Sequence, residues 1–91
     1  MYAVTVRLLC LRAATVESAR ETRRIVRDAA VPDDQLEHIY VEPTDCGADL
    51  VMFLVATDLD AAERTAAALV HRARLADHAG CWPVTCQVEL I

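Results

Sequence analysis

The amino-acid sequence predicts an α+β fold with the element order β-α-β-β-α-β. Runs of apolar residues with a two-residue period, typical of strands, alternate in this order with runs that have the 3.6-residue period of helices. The six runs use nearly all of the 91 residues, so we expect a single domain over residues 1–91. Because two helices can cover only one face of four strands, the prediction is a two-layer sandwich.

The first and last strands alternate between apolar and mixed side chains. In the first strand, Tyr2–Leu11, one parity is apolar: Val4, Val6, Leu8 and Cys10. In the last strand, which ends at Ile91, the matching row is Val84, Cys86, Val88 and Leu90. Such alternation is expected where one face of a strand packs on helices. Both rows, including their cysteines, are therefore predicted to point inward.

The second and third strands form a predicted hairpin. The third run, Leu50–Ala56, is apolar throughout, which is typical of a strand covered on both faces. The second run, Leu36–Val41, is weaker and places His38 and Tyr40 on the same parity. A turn between the two runs is indicated by three turn-forming residues: Pro43, Asp45 and Gly47.

Two amphipathic segments predict the helices. Thr15 is the expected N-cap of the first helix. The second helix is expected to start near Asp58 or Asp60, since Asp60 and Glu63 have the spacing of a capping box. Its predicted buried stripe is Leu59, Ala62, Ala66, Leu69, Val70 and Ala73. Gly80 is predicted to end this part of the chain before the last strand.

This pattern of elements resembles the ferredoxin-like sandwich, a four-stranded antiparallel sheet of order 4-1-3-2 with two helices on one face. In length and element order the chain is also similar to amino-acid-binding regulatory domains of the ACT type. It departs from them in the loop after the first strand, residues 11–15, which contains no glycine. The resemblance is therefore one of architecture, because no ACT motif is matched.

The strand order predicts an uncovered apolar surface. Strands one and three are central, and the helices can cover only one of their faces. An exposed apolar patch usually marks a binding surface, so we expect a homodimer that forms through the open side of the sheet. The expected interface residues are Leu9, Leu11, Leu50, Met52 and Leu54, although the sequence does not decide which parity of strand three faces the helices.

Four polar or aromatic residues are candidates for a ligand or cavity on the same open side: Arg7, His38, Tyr40 and Glu89. We also expect Arg7 and Glu89 to be cross-strand partners. We favour a non-enzymatic regulatory or protein-interaction module that binds a small ligand at the subunit boundary. The alternative is a small dimeric α+β barrel enzyme whose apolar cavity is lined by His38 and Tyr40, because histidine titrates near neutral pH. No catalytic residue is assigned.

Composition excludes several classes of function. The net charge of −5 disfavours nucleic acid, which is bound mainly through basic residues. No apolar run reaches the ~20 residues of a membrane span. Without a basic leader, a cytoplasmic protein with four reduced cysteines is expected. The absence of Lys and Asn is typical of a high-GC bacterial genome.

No metal or cofactor is predicted. Structural zinc sites need closely spaced pairs of ligands, and the only near pair of cysteines is Cys81 and Cys86. Cys46, Cys81 and His78 are the least unsuitable ligand set.

Overall fold

The computed structural model describes residues 1–91 and contains one four-stranded sheet with three α-helices. The strands are β1 (Tyr2–Cys10), β2 (Leu36–Thr44), β3 (Gly47–Leu54) and β4 (Cys81–Leu90). The helices are α1 (Val16–Ala29), α2 (Leu59–Ala73) and α3 (Leu75–Ala79), and Pro32–Asp34 form a 3-10 turn before β2. All strand pairs are antiparallel, in the order β2-β3-β1-β4. The predicted α+β class and strand order are confirmed.

The helix caps follow from local sequence. Thr15 caps α1, since its Oγ1 accepts a hydrogen bond from the backbone N–H of Ser18 at 3.1 Å. Asp58 caps α2 by accepting from the N–H of Ala61 at 2.7 Å. Leu59 is therefore the first residue of α2, and it is half exposed instead of buried as predicted.

The short helix α3 is an addition to the two helices predicted. Arg74 takes a left-handed conformation, φ 53°, which ends α2 and redirects the chain into α3. Gly80, with φ 64°, then ends α3 immediately before β4. Glycine adopts a positive φ readily because it has no Cβ. The helix end predicted at Gly80 is therefore the end of α3 and not of α2.

The core lies between the helices and one face of the sheet. Six side chains of the central strands are at most 4% exposed: Val4, Val6, Leu8, Leu50, Met52 and Leu54. They pack against alanines and leucines of α2 and against Val26 of α1. Small alanine side chains let a helix lie close to the sheet, so the helix layer closes tightly over one face.

The register of the β2–β3 hairpin corrects the predicted interface. A two-residue turn pairs Thr44 with Gly47, and the same register pairs Ile39 with Met52. Ile39 points into the core, and cross-strand partners point to the same side of a sheet. Leu50, Met52 and Leu54 thus face the helices and have no exposed area. The prediction that they line the interface is therefore wrong.

A glycine is needed at position 47 because β1 lies very close to β3 there. A Cβ at this position would lie 1.9 Å from the carbonyl oxygen of Leu8 on β1. Any other residue would push β1 and β3 apart, so glycine is required here to start β3 beside β1.

The helices cover less of the edge strand β4 than its alternating apolar and polar residues predicted. It pairs only with β1, and the register shifts between Arg7 and Leu8, leaving Val84 as an extra residue in a β-bulge. Cys86 lies on the helix side opposite Val6 but is exposed, because the helices do not reach over this edge. The prediction that Cys86 points into the core is therefore wrong.

The bulge also places two cysteines opposite each other. Cys10, at the end of β1, pairs with Cys81, at the start of β4, and the two are joined by a disulfide. The bond links residues 71 positions apart. The expectation of four reduced cysteines is therefore wrong for this pair, while Cys46 and Cys86 are free.

An ion pair between Asp34 and Arg72 links α2 to the 3-10 turn before β2. The carboxylate of Asp34, which is 8% exposed, accepts hydrogen bonds from the N–H of Val31 at 2.9 Å and from the Arg72 guanidinium at 2.5 Å. Arg72 also donates to the carbonyl of Ala29 at 3.0 Å. Arg72 of α2 therefore holds the end of α1 and the 3-10 turn together.

We expect the double variant Cys10→Ala/Cys81→Ala to be less stable than the unmodified protein by about 2–4 kcal/mol, because a disulfide restricts the unfolded chain and this one closes a long loop. Urea denaturation at one fixed protein concentration measures the difference. The matched control is Cys46→Ala/Cys86→Ala, which removes the two free cysteines and should change stability much less. Equal unfolding midpoints for the two double variants would contradict a stabilising disulfide.

Candidate interaction surface

The side of the sheet that faces away from the helices, here called the open face, is defined by the strand register. Each row across the sheet contains one residue from each strand, in the order β2, β3, β1, β4. The four rows are His38, Phe53, Ala3 and Glu89; Tyr40, Val51, Thr5 and Gln87; Glu42, Asp49, Arg7 and Thr85; Thr44, Gly47, Leu9 and Trp82. The first and last rows lie at opposite ends of the sheet.

Three aromatic rings cluster at one corner of the open face. The ring centroids of His38 and Phe53 are 6.0 Å apart, those of Tyr40 and Phe53 are 6.1 Å apart, and those of His38 and Tyr40 are 6.2 Å apart. The rings are tilted at angles of 30–45°, within the distances over which aromatic rings attract each other. Val51, next to this cluster in the second row, is only 9% exposed although no helix covers it.

A second apolar pair lies at the diagonally opposite corner. Leu9 of β1 is 50% exposed and lies beside Trp82 of β4, which is 42% exposed. The bulge at Val84 determines this position, since without the extra residue Trp82 would fall on the other parity of β4. The open face therefore has apolar groups at two corners.

The centre of the open face carries an ion pair. Arg7 Nε donates to Asp49 Oδ1 at 3.2 Å across β1 and β3, and the Arg7 side chain is 61% exposed. The expected pairing of Arg7 with Glu89 is wrong, because Glu89 lies two rows away, opposite Ala3. Arg7 and Asp49 thus present one positive and one negative charge side by side to any molecule that docks here.

The four candidate ligand residues share one face but do not converge. Arg7, His38, Tyr40 and Glu89 all belong to open-face rows. His38 and Glu89, however, occupy opposite edges of the sheet in the first row. Three strand spacings separate them, or roughly 14 Å. Within one chain they cannot act on the same small molecule as a catalytic pair.

Leu11 does not belong to the open face. It follows the end of β1, donates its N–H to the carbonyl of Gly80 at 3.0 Å and is 76% exposed. Its side chain lies beside Gly80 at the end of the sheet. Of the five predicted interface residues, only Leu9 lies in an open-face row.

Four open-face residues were missed by the sequence analysis: Asp49, Val51, Phe53 and Trp82. The sequence contained a signal for the first three, because Asp49 is charged and a charged residue is rarely buried against helices. Asp49 has the same parity as Val51 and Phe53, which places all three on the open side. For Trp82 no such signal existed, since the bulge that turns it outward has no sequence mark.

A groove on the helix side runs beneath β4. It has a volume of about 490 Å³ and lies between α2, α3 and the β4 edge, with Val70, Pro83 and Cys86 in its lining and Glu63 and His71 among its polar groups. Partial burial raises the pKa of the Cys86 thiol, and the Glu63 carboxylate adds to the shift. A smaller cavity of about 240 Å³ lies beside Leu11 and α1.

One of the four arginines of α1 is compensated within the helix. Arg24 lies between Glu21 and Asp28, donating to Glu21 and, at 3.0 Å, to Asp28. Hydrogen bonding to Arg24 lowers the pKa of Glu21. Arg23 donates instead to the backbone carbonyl of Ile39 at 2.9 Å.

No group of three or more His, Cys, Asp or Glu side chains lies close enough together to hold a metal ion. Of the three residues considered as ligands, Cys81 is in the disulfide and Cys46 is exposed. None of the helices has the length and apolarity needed to cross a bilayer.

Comparison with protein families, with curated proteins and with solved structures found no match to this chain.

The raised pKa of Cys86 predicts slow alkylation. At a pH between neutral and mildly alkaline, a thiol with a raised pKa has a smaller thiolate fraction, and the thiolate is the reactive form. Both free cysteines are exposed, and iodoacetamide should therefore modify Cys86 after Cys46, as measured by peptide mass spectrometry over time. Equal rates for the two cysteines in the folded protein would contradict the raised pKa of Cys86.

Proposed function

We propose that the protein is a small interaction module of ferredoxin-like architecture that forms a homodimer through its open face. The observation that carries this proposal is the composition of that face. Leu9, Tyr40 and Trp82 are 50%, 42% and 42% exposed, and Phe53 and Val51 lie beside Tyr40. Exposed apolar groups at two corners of one sheet face, with an ion pair between them, support a protein-binding surface.

The free energy of association comes from removing these side chains from water. Burial of apolar surface contributes about 25 cal/mol per Å², while association itself costs several kcal/mol. Four strands of eight residues span a planar area of roughly 500 Å², which is at the lower end for a specific interface. We therefore expect a dimer that dissociates on dilution.

A homodimer is supported by the ion pair at the centre of the face. Arg7 and Asp49 present both signs there, so a second identical face can meet these two charges with their opposites, while Glu42 and Glu89 lie towards the edges of the sheet. Nucleic acid would require a basic surface, and the chain has nine basic residues against fourteen acidic ones.

A small ligand at the subunit boundary is part of the proposal. His38 and Tyr40 are exposed at the β2 edge, where an imidazole and a phenol provide hydrogen-bonding groups beside an apolar ring. The alternative, a dimeric α+β barrel enzyme, would use the same two side chains in an enclosed cavity. We favour the non-enzymatic module, because an exposed His and Tyr on an edge strand suit the polar rim of an interface.

The proposed location is the cytoplasm; the Cys10–Cys81 disulfide of the structure counts against it, and the number of free thiols decides between the two. Stable disulfides are rare in reducing compartments. A cytoplasmic protein would be isolated with four thiols that titrate under denaturing conditions without reductant. Two thiols, with Cys10 and Cys81 joined, would indicate an oxidising location.

The variant Leu9→Glu tests the proposed homodimer. Because Leu9 is half exposed in the single chain, the variant should still fold, yet a buried charge at the interface should raise the dissociation constant at least about tenfold. Sedimentation velocity over a dilution series measures the constant.

Leu59→Glu is the matched control, since Leu59 has the same 50% exposure but lies at the start of α2. It should leave association unchanged. A monomer at all concentrations for the unmodified protein, or equal effects of the two variants, would overturn the proposed function.

A further inference from the structure

We propose that the two copies pack with their strands nearly parallel to a shared two-fold axis, so that Arg7 faces the partner's Asp49 and His38 faces the partner's Glu89. This arrangement rests on the homodimer proposed above and specifies its register. It follows from the positions of charges and of side-chain sizes in the four rows of the open face.

A two-fold axis parallel to the strands, midway between β3 and β1, leaves each row opposite itself but reverses the strand order. The β3 strand of one copy then lies over β1 of the other, and β2 lies over β4. Stacked sheets commonly align within about 30°, so this is an ordinary packing geometry.

The charges agree with this arrangement. In the third row, Arg7 and Asp49 of one copy face Asp49 and Arg7 of the other, so four charges alternate in sign around the axis. In the first row, His38 at the β2 edge faces the partner's Glu89 at the β4 edge. Arg7 and Asp49 each meet the opposite charge, and the Glu89 carboxylate can accept a hydrogen bond from the partner's His38 imidazole.

Side-chain sizes agree as well. Phe53 faces the partner's Ala3 in the first row, and Leu9 faces the partner's Gly47 in the fourth. Gly47 carries no side chain, because a Cβ would clash with β1, and its backbone is already buried within its own chain. Each of these large side chains therefore lies over a small residue of the other sheet, which lets the two sheets approach closely.

Other two-fold arrangements bring unfavourable groups together. An axis across the strands exchanges the second and third rows, which would place Asp49 against the partner's Val51. Crossed packings about a diagonal axis through the same centre bring either Asp49 against the partner's Asp49 or Arg7 against the partner's Arg7. Charges without partners, or like charges in contact, are costly in an interface.

The inference is tested by a charge cycle on His38 and Glu89. His38→Glu should raise the dissociation constant about tenfold. The new carboxylate would face the partner's Glu89 at both of the two equivalent contacts in the dimer. Glu89→Arg alone should change the dissociation constant less than His38→Glu does. The double variant His38→Glu/Glu89→Arg should recover most of the lost affinity. Within one chain the two sites are roughly 14 Å apart, so the recovery has to arise between subunits.

Two further measurements keep the test independent of folding defects. His71→Glu is the control for the histidine substitution, since His71 is exposed on α2, and it should leave the dissociation constant unchanged. The His38→Glu chain, mixed with the Glu89→Arg chain, should form heterodimers in preference to either homodimer.

The outcomes separate the two proposals. A monomeric unmodified protein would overturn the homodimer itself. A dimer that Leu9→Glu disrupts, but in which neither the double variant nor the mixture recovers affinity, would overturn only the register.

Discussion

The structure depends on one constraint: its helices can cover only one face of the four-stranded sheet. The central strands β1 and β3 bury Val4, Val6 and Leu50 against the helices, and that core accounts for the fold. Their other face carries Leu9, Val51 and Phe53 with no helix above them. One face of an antiparallel sheet can remain in water, but because this face carries exposed apolar groups, we propose that a second copy covers it.

Two local irregularities decide which side chains reach the open face. In β4 the extra residue Val84 turns Trp82 outward and brings Cys81 opposite Cys10. In β2 a register shift between Leu36 and His38 lets Leu36 point inward and His38 outward. Bulges often occur near functional surfaces because they redirect individual side chains. Here the bulge in β4 creates the apolar corner at Leu9 and Trp82, and the shift in β2 turns Leu36 inward, whereas His38 lies beside Phe53 in the regular hairpin register.

The element order, the strand order and the cap at Thr15 could be predicted because each rests on a local pattern or on a simple topological rule. The parity of β3 could not be read from its apolar run, which has no alternation; Asp49, just before the run, was the one local signal for it, and the hairpin register fixes it. The exposure of Cys86 depends on how far the helices extend over β4. The disulfide joins residues 71 positions apart through a bulge that leaves no mark in the sequence. Bulges and long-range register are tertiary properties, which is why these features were missed.

The central claim is that the open face is covered by a second copy. The most direct measurement is a series of ¹H–¹⁵N correlation spectra of the unmodified protein, recorded on dilution from millimolar to low micromolar concentration. The account predicts that amide shifts change with concentration along the open-face rows, at Arg7, Tyr40 and Val51, while the amides of α1 stay constant. Spectra that do not change while the protein remains monomeric, or changes confined to the helix side, would contradict it.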